Sequence, residues 1–105
     1  MAKLIIGTTP VQIAPTNPRR IGWELQFIPS SVIAGNTGLV FVSRDKIPTA
    51  STAGENNENI LVAAAAIERK LENGDSKDEV QGAIWGIADT ASQQCTFKEF
   101  LNPDL

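Results

Sequence analysis

The chain of 105 residues contains no histidine and no tyrosine, and only one cysteine. Without histidine it lacks the commonest general base and the commonest metal ligand. The single thiol, Cys95, has no imidazole to activate it and no second thiol to pair with internally, so it reads as a small core residue. Basic residues never run beyond two in a row and the formal net charge is −3, which argues against the basic footprint that nucleic-acid binding needs. No apolar stretch approaches the ~20 residues of a membrane-crossing helix. Met1–Gly7, with one lysine and a short apolar run, does not read as a secretory signal. The expectation is a non-enzyme with no cofactor, no metal, no nucleic-acid partner and no membrane partner.

What is present is strand-like. The hydrophobic fraction of 42% is that of a globular chain, and the length suits one domain. Ile21–Ile28 alternates cleanly, with Trp23, Leu25 and Phe27 on one side and Gly22, Glu24 and Gln26 on the other. Leu39–Ser43 is apolar on both sides. So is Val80–Asp89, where Val80, Gly82, Ile84, Gly86 and Ala88 share one face and Ala83, Trp85 and Ile87 the other. A strand apolar on both faces reads as central, and its two glycines leave room for a neighbour such as Trp23 to press on the backbone. Asp89–Gln93 is short and polar and Gln94–Leu101 is again strand-like, so a terminal β-hairpin is expected. The reading is all-β: a small antiparallel β-sandwich or barrel, jelly-roll-like, with a long irregular loop and room for one short helix.

The remaining segments are less regular. Lys3–Gly7 and Val11–Ala14 are short apolar runs separated by Thr8-Thr9-Pro10, so residues 1–14 read as an N-terminal arm or a pair of edge strands, and residues 15–105 as a single β-sandwich domain. Met1–Gly7 is expected to be dispensable for folding. Val32–Ala34 reads as a brief strand, and Gly35-Asn36-Thr37-Gly38 as a turn that permits positive φ. Arg44–Asn59 is a long polar segment with little to bury, suited to a functional loop. Ile60–Leu71 carries helical spacing and four alanines, yet its neighbours are strands; a strand over Ala66–Leu71 is the preferred reading. Asn73-Gly74-Asp75 reads as a hairpin turn.

Candidate sites are few. Glu55 and Glu58 lie in the polar loop, and Asp75, Asp78 and Glu79 lie among lysines, so all read as solvated. Asp75-Ser76-Lys77-Asp78 lacks the ligand spacing of a calcium loop, and Gly35–Gly38 lacks the lysine of a phosphate loop. Arg19 and Arg20 fit either a clamp on a partner's carboxylate or a split of roles, one solvated and one paired within the fold. Trp23 and Trp85 read as core anchors, the rival role being one exposed ring as an interface hot spot. The candidate interface comprises Lys3, Leu4, Ile5, Ile6, Arg19, Arg20, Arg44 and Lys46.

Three pieces of the chain occur together in a known group: Pro15-Thr16-Asn17-Pro18-Arg19-Arg20 leading into an early strand, Gly82-Ala83-Ile84-Trp85-Gly86-Ile87-Ala88 late in the chain, and Phe97-Lys98-Glu99-Phe100 near its end. In these the chain resembles the small β-sandwich virion proteins of tailed bacteriophages, of the capsid decoration or cement type. It departs from them after Gln26, where Phe27-Ile28-Pro29 stands in place of a frequent asparagine. The resemblance implies a structural protein of the virion, made in the host cytoplasm and placed on the capsid surface. Its partners would be the major capsid protein or another virion protein, and its own copies, a trimer being favoured over a dimer. A tail, neck or head-fibre component is the alternative, and a carbohydrate- or ligand-binding β-sandwich the second alternative.

Overall fold

The computed structural model describes residues 2–48 and 59–102, with the side chain of Ala2 excepted. Residues 49–58, which hold most of the expected loop and both Glu55 and Glu58, and residues 103–105 lie outside the described residues. Among the described residues there are eight strands: β1 (Ala2–Ile6), β2 (Val11–Ala14), β3 (Arg20–Phe27), β4 (Val40–Arg44), β5 (Asn59–Leu61), β6 (Ala66–Lys70), β7 (Ile84–Ala88) and β8 (Gln93–Leu101). One short helix, α1 (Lys77–Gln81), and one 3-10 turn, Leu71–Asn73, complete the set.

The strands form two four-stranded sheets, in the orders β1-β8-β3-β6 and β2-β7-β4-β5. Antiparallel partners therefore include β1 with β8, β2 with β7, β3 with β6, and β4 with β5. This nesting is that of a long antiparallel ribbon folded at β4–β5 and rolled across two sheets, which is a jelly roll. Of the consecutive connections, β4 to β5 alone stays within one sheet; every other connection crosses between sheets. The crossings at residues 7–10 and 89–92 lie side by side, tied by Ala88 N–H donating to the Gly7 carbonyl at 2.8 Å.

The core forms between the sheets from alternate residues. Trp23, Leu25 and Phe27 of β3 meet Val40 and Val42 of β4, Ile84 and Ala88 of β7, and Cys95 and Phe97 of β8. The alternation of β3 thus places the residues expected on its inner face. The strand favoured at Ala66–Leu71 forms over Ala66–Lys70, because Gln26 to Gly22 offer a complete antiparallel ladder that outweighs alanine's helix propensity.

Several expectations are corrected. Val80 and Gln81 belong to α1, and the strand begins only at Ile84. Ser76 caps this helix by accepting from Glu79 N–H, and Asp78 and Glu79 sit in the positive first turn. The terminal hairpin does not form: β7 and β8 lie in different sheets, and the polar turn between them is a corner. Likewise Asn73-Gly74-Asp75 is no hairpin turn. Gly74, at φ 86°, ends the 3-10 turn, and the Asp75 carboxylate accepts from Lys70 N–H at 2.8 Å. Val32–Ala34 lies in a turn, and neither Gly35 nor Gly38 takes a positive φ. The backbone of Gly86 is pressed by Ile13 and Ile6, not by Trp23.

Residues 2–6 are held within the fold. Ile6 is fully buried in the core. Removing 1–7 would therefore open the core and leave one edge of β8 bare, so this segment is not dispensable for folding.

Two predictions arise here. Ala64 adopts φ 75°, a left-handed conformation unfavourable for a Cβ-bearing residue, between β5 and β6. Ala64→Gly removes about 1–2 kcal/mol of strain and adds about 0.5–1 kcal/mol of unfolded-state freedom, so a net gain of ~0.5–1 kcal/mol is expected in urea unfolding. An unchanged midpoint would show that the local strain is already relieved.

Cys95 is fully buried, and burial pushes its thiol up from 9.0 to about 12. The native thiol should be inert to thiol reagents at neutral pH, and labelling should follow global unfolding. Because the folded value is the higher one, stability is complete below pH 9.0 and falls as pH rises between 9.0 and about 12. A Cys95→Ala variant should lose less stability across that window, as measured by urea unfolding at graded pH.

Candidate interaction surface

The polar centre of the molecule is Arg20, whose side chain is fully buried at the start of β3. Its guanidinium reaches Glu99 of β8, with Nε donating at 2.9 Å and Nη2 at 2.7 Å from the same carboxylate oxygen. Nη1 donates to the carbonyls of Val80 (3.1 Å) and Gly82 (3.0 Å), and Nη2 to that of Pro15 (2.7 Å). One planar side chain thus ties the turn before β3, the end of α1 and the last strand. The planar fork of arginine suits this, since lysine could not present so many donors in fixed directions. Arg19 takes the opposite role: it is exposed, and its Nη2 reaches the Asn102 carbonyl. The split between one solvated and one internally paired arginine is the arrangement found.

Two further buried polar side chains hold the loop from Ile28 to Leu39. The Asn36 amide donates to the carbonyls of Ile28 and Gln94 and accepts from Gln94 N–H. Gln93 accepts from Gly38 N–H and donates to the carbonyls of Gly35 and Ala91. Neither Asn36 nor Gln93 stands out in the sequence as a structural joint. Their type is ordinary for loops, and only the tertiary fold shows them replacing a strand's hydrogen bonds.

The candidate interface residues fall into two groups. Lys3 and Ile5 point outward from β1, and Ile5 is 62% exposed. Arg19 and Lys46 are also exposed, and Leu4 and Arg44 are half-buried. Ile6 and Arg20 are interior and are corrected: the first is a core residue, and the second is occupied by Glu99 and three carbonyls. The structure does not gather the rest into one patch. Lys3 and Ile5 lie on β1, and Arg44 and Lys46 lie at the end of β4 in the other sheet.

The outer faces of the two sheets differ. On the β1-β8-β3-β6 sheet, cross-strand rows read Lys70–Gly22–Phe100, then Glu68–Glu24–Lys98, then Ala66–Gln26–Thr96–Lys3. Phe100 lies beside Gly22, where a Cβ would sit 3.2 Å from its ring and 2.8 Å from Lys70 Cγ. The ammonium groups of Lys70 and Lys98 stand 4.7 Å and 5.0 Å from the ring centroid. Next to this ring is a depression of about 200 Å³ lined by Ile21, Lys70, Leu71, Glu72 and Phe100. It falls below the roughly 300 Å³ at which ligand pockets begin.

The outer face of the β2-β7-β4-β5 sheet carries Phe41, Ile87, Ile60, Trp85 and Ser43 by alternation and register. Phe41 is nevertheless buried. Asp45 turns the chain here: it donates its N–H to the Ala83 carbonyl, and its carboxylate accepts from Ala83 N–H. Ser43 Oγ donates to the Lys46 carbonyl, and Pro48 is buried.

Trp85 is half-buried on this outer face, while Trp23 is inside, its Nε1–H donating to the Glu79 carbonyl at 2.9 Å. Neither tryptophan lines the depression beside Phe100. Among the described residues, no three acidic or cysteine side chains come together in a metal-binding arrangement, and no helix is long and apolar enough to cross a membrane. No protein-family model, curated protein or solved structure matches this chain.

Proposed function

We propose that this protein is a structural component of a tailed-phage virion, a capsid decoration or cement protein that binds the outside of the major capsid protein lattice. One observation carries the proposal. The three segments in which the chain resembles such proteins meet at one side chain: Arg20 joins the Pro15 carbonyl, the Gly82 carbonyl and the Glu99 carboxylate. Short motifs scattered over a chain match by chance easily. Motifs that close one hydrogen-bonded cluster in a jelly roll form a single structural unit. Fold alone does not assign function, and many unrelated activities share jelly rolls. The reading therefore rests on the joint arrangement of fold and motif.

In this role the protein would work by burying area across seams between capsid subunits, for which an interface of ~1,600 Å² is the usual size. Lys3 and Ile5 on β1, with Arg19 and Lys46, are the exposed members of the candidate interface.

The test is to add purified protein to phage heads assembled without it, and to follow binding by co-sedimentation and cryo-EM. Density on the outer capsid lattice, with raised resistance of the heads to heat, is the expected result. Density confined to tail, neck or head fibre would move the protein to the alternative virion role. Absence of binding to any virion part would overturn the proposal.

A further inference from the structure

An unpaired sheet edge invites another strand, and proteins blunt their edges to prevent it. Among the described residues four edges are available: β1 and β6 in one sheet, β2 and β5 in the other. Three of them are blunted. β5 is three residues long. β2 has a register shift between Gln12 and Ala14. β6 carries Glu68, Arg69 and Lys70 in succession. The remaining edge, β1, is a regular five-residue strand, AKLII, in unbroken register with β8 and with Lys3 as its only charge. Ile5 on its outward face is 62% exposed. The corner at residues 7–10 brings β2 to the same side of the sandwich, where Val11 is also exposed.

We propose that β1 pairs antiparallel with β1 of a second copy of this chain about a two-fold axis at Leu4, joining the two four-stranded sheets into one of eight strands. The self-pairing is chemically consistent. An antiparallel pair centred on residue 4 sets position 3 opposite position 5 of the second copy. Each Lys3 then lies across from an Ile5, its methylene stem covering the exposed side chain while its ammonium remains in water. No like charges face each other. A register shifted so that Lys3 met Lys3 would be repelled and is disfavoured. The second copy is favoured over a foreign strand because the one row of side chains supplies both halves of each cross-strand pair.

A five-residue pairing buries less than a standard interface. The dimer is therefore expected at a dissociation constant of about 0.1 mM, with reversible, concentration-dependent assembly. The two-fold pairing departs from the trimer that the resemblance favours, and it concerns the free protein in solution, so its test is separate from that of the virion reading.

The experiment is sedimentation equilibrium of the whole chain up to about 1 mM. Ile5→Lys alters a mainly exposed side chain, so the fold is retained, which circular dichroism verifies. It sets the introduced ammonium against Lys3 of the second copy in both cross-strand pairs, and the dissociation constant should rise roughly tenfold. The double variant Lys3→Glu with Ile5→Lys sets opposite charges across the axis and should restore dimerisation, weakening again with salt. A wild-type chain monomeric throughout the concentration range would overturn the proposal. So would Ile5→Lys dimerising as the wild type does, or a double variant no better than the single one.

Discussion

Arg20→Ala should be the most damaging single polar substitution in this protein, costing about 3–5 kcal/mol. The removed guanidinium leaves the carbonyls of Pro15, Val80 and Gly82 short of donors in the interior and the Glu99 carboxylate without its cation. Burial explains the size of the effect: an exposed pair would be worth about 0–1 kcal/mol, whereas Arg20 has no access to water at all. Against a total stability of roughly 5–15 kcal/mol, the variant would be marginal or unfolded at ambient temperature. Graded substitutions keep the test informative. Arg20→Lys retains the charge but not the fork, and should be intermediate. Glu99→Gln keeps all three carbonyl bonds and should cost less, about 1–3 kcal/mol. Urea unfolding followed by circular dichroism measures all three. A near-native Arg20→Ala would mean that water fills the site and that the three segments are held together by packing alone.

The two tryptophans should separate sharply. Trp23→Ala is expected to cost about 3–5 kcal/mol, because it empties a core position whose ring lies 6.2 Å from that of Phe97. It also strips the Glu79 carbonyl of its indole donor, loosening α1 against β3. Trp85→Ala should cost only about 1–2 kcal/mol, since the ring covers the outer face of its sheet and is partly solvated. Single-tryptophan variants give an independent check. With Trp85 replaced by phenylalanine, the Trp23 emission should be blue-shifted and protected from acrylamide. With Trp23 replaced, the remaining emission should be quenched more readily. Equal costs for both alanine variants would place Trp85 deeper than its half-burial allows.

This difference also shows what the sequence could reveal. Both rings sit in strands, and both read as core anchors. For Trp23 the alternation with Leu25 and Phe27 settles the inner face. For Trp85 the strand is apolar on both sides, so periodicity cannot say which face meets the other sheet. Helix α1 is signalled locally only by Ser76 followed by Glu79, the spacing of a capping box, while the apolar residues from Val80 onward read as strand. The candidate interface was legible only as residue types. Ile6 and Arg20 look as available as Ile5 and Arg19, and nothing local distinguishes an exposed arginine from one that ends on three carbonyls.

Composition and period therefore determined the class by themselves. Short runs with a two-residue repeat, separated by turn residues, cannot bury their apolar sides except between sheets. Which strand lies beside which was decided only in three dimensions. The polar turn at 89–92 serves a corner as readily as a hairpin, because turn chemistry fixes a reversal of direction and not the sheet that receives the next strand. That choice depends on pairing between residues far apart in sequence. The same long-range closure turned Arg20 from a surface candidate into the joint of the fold.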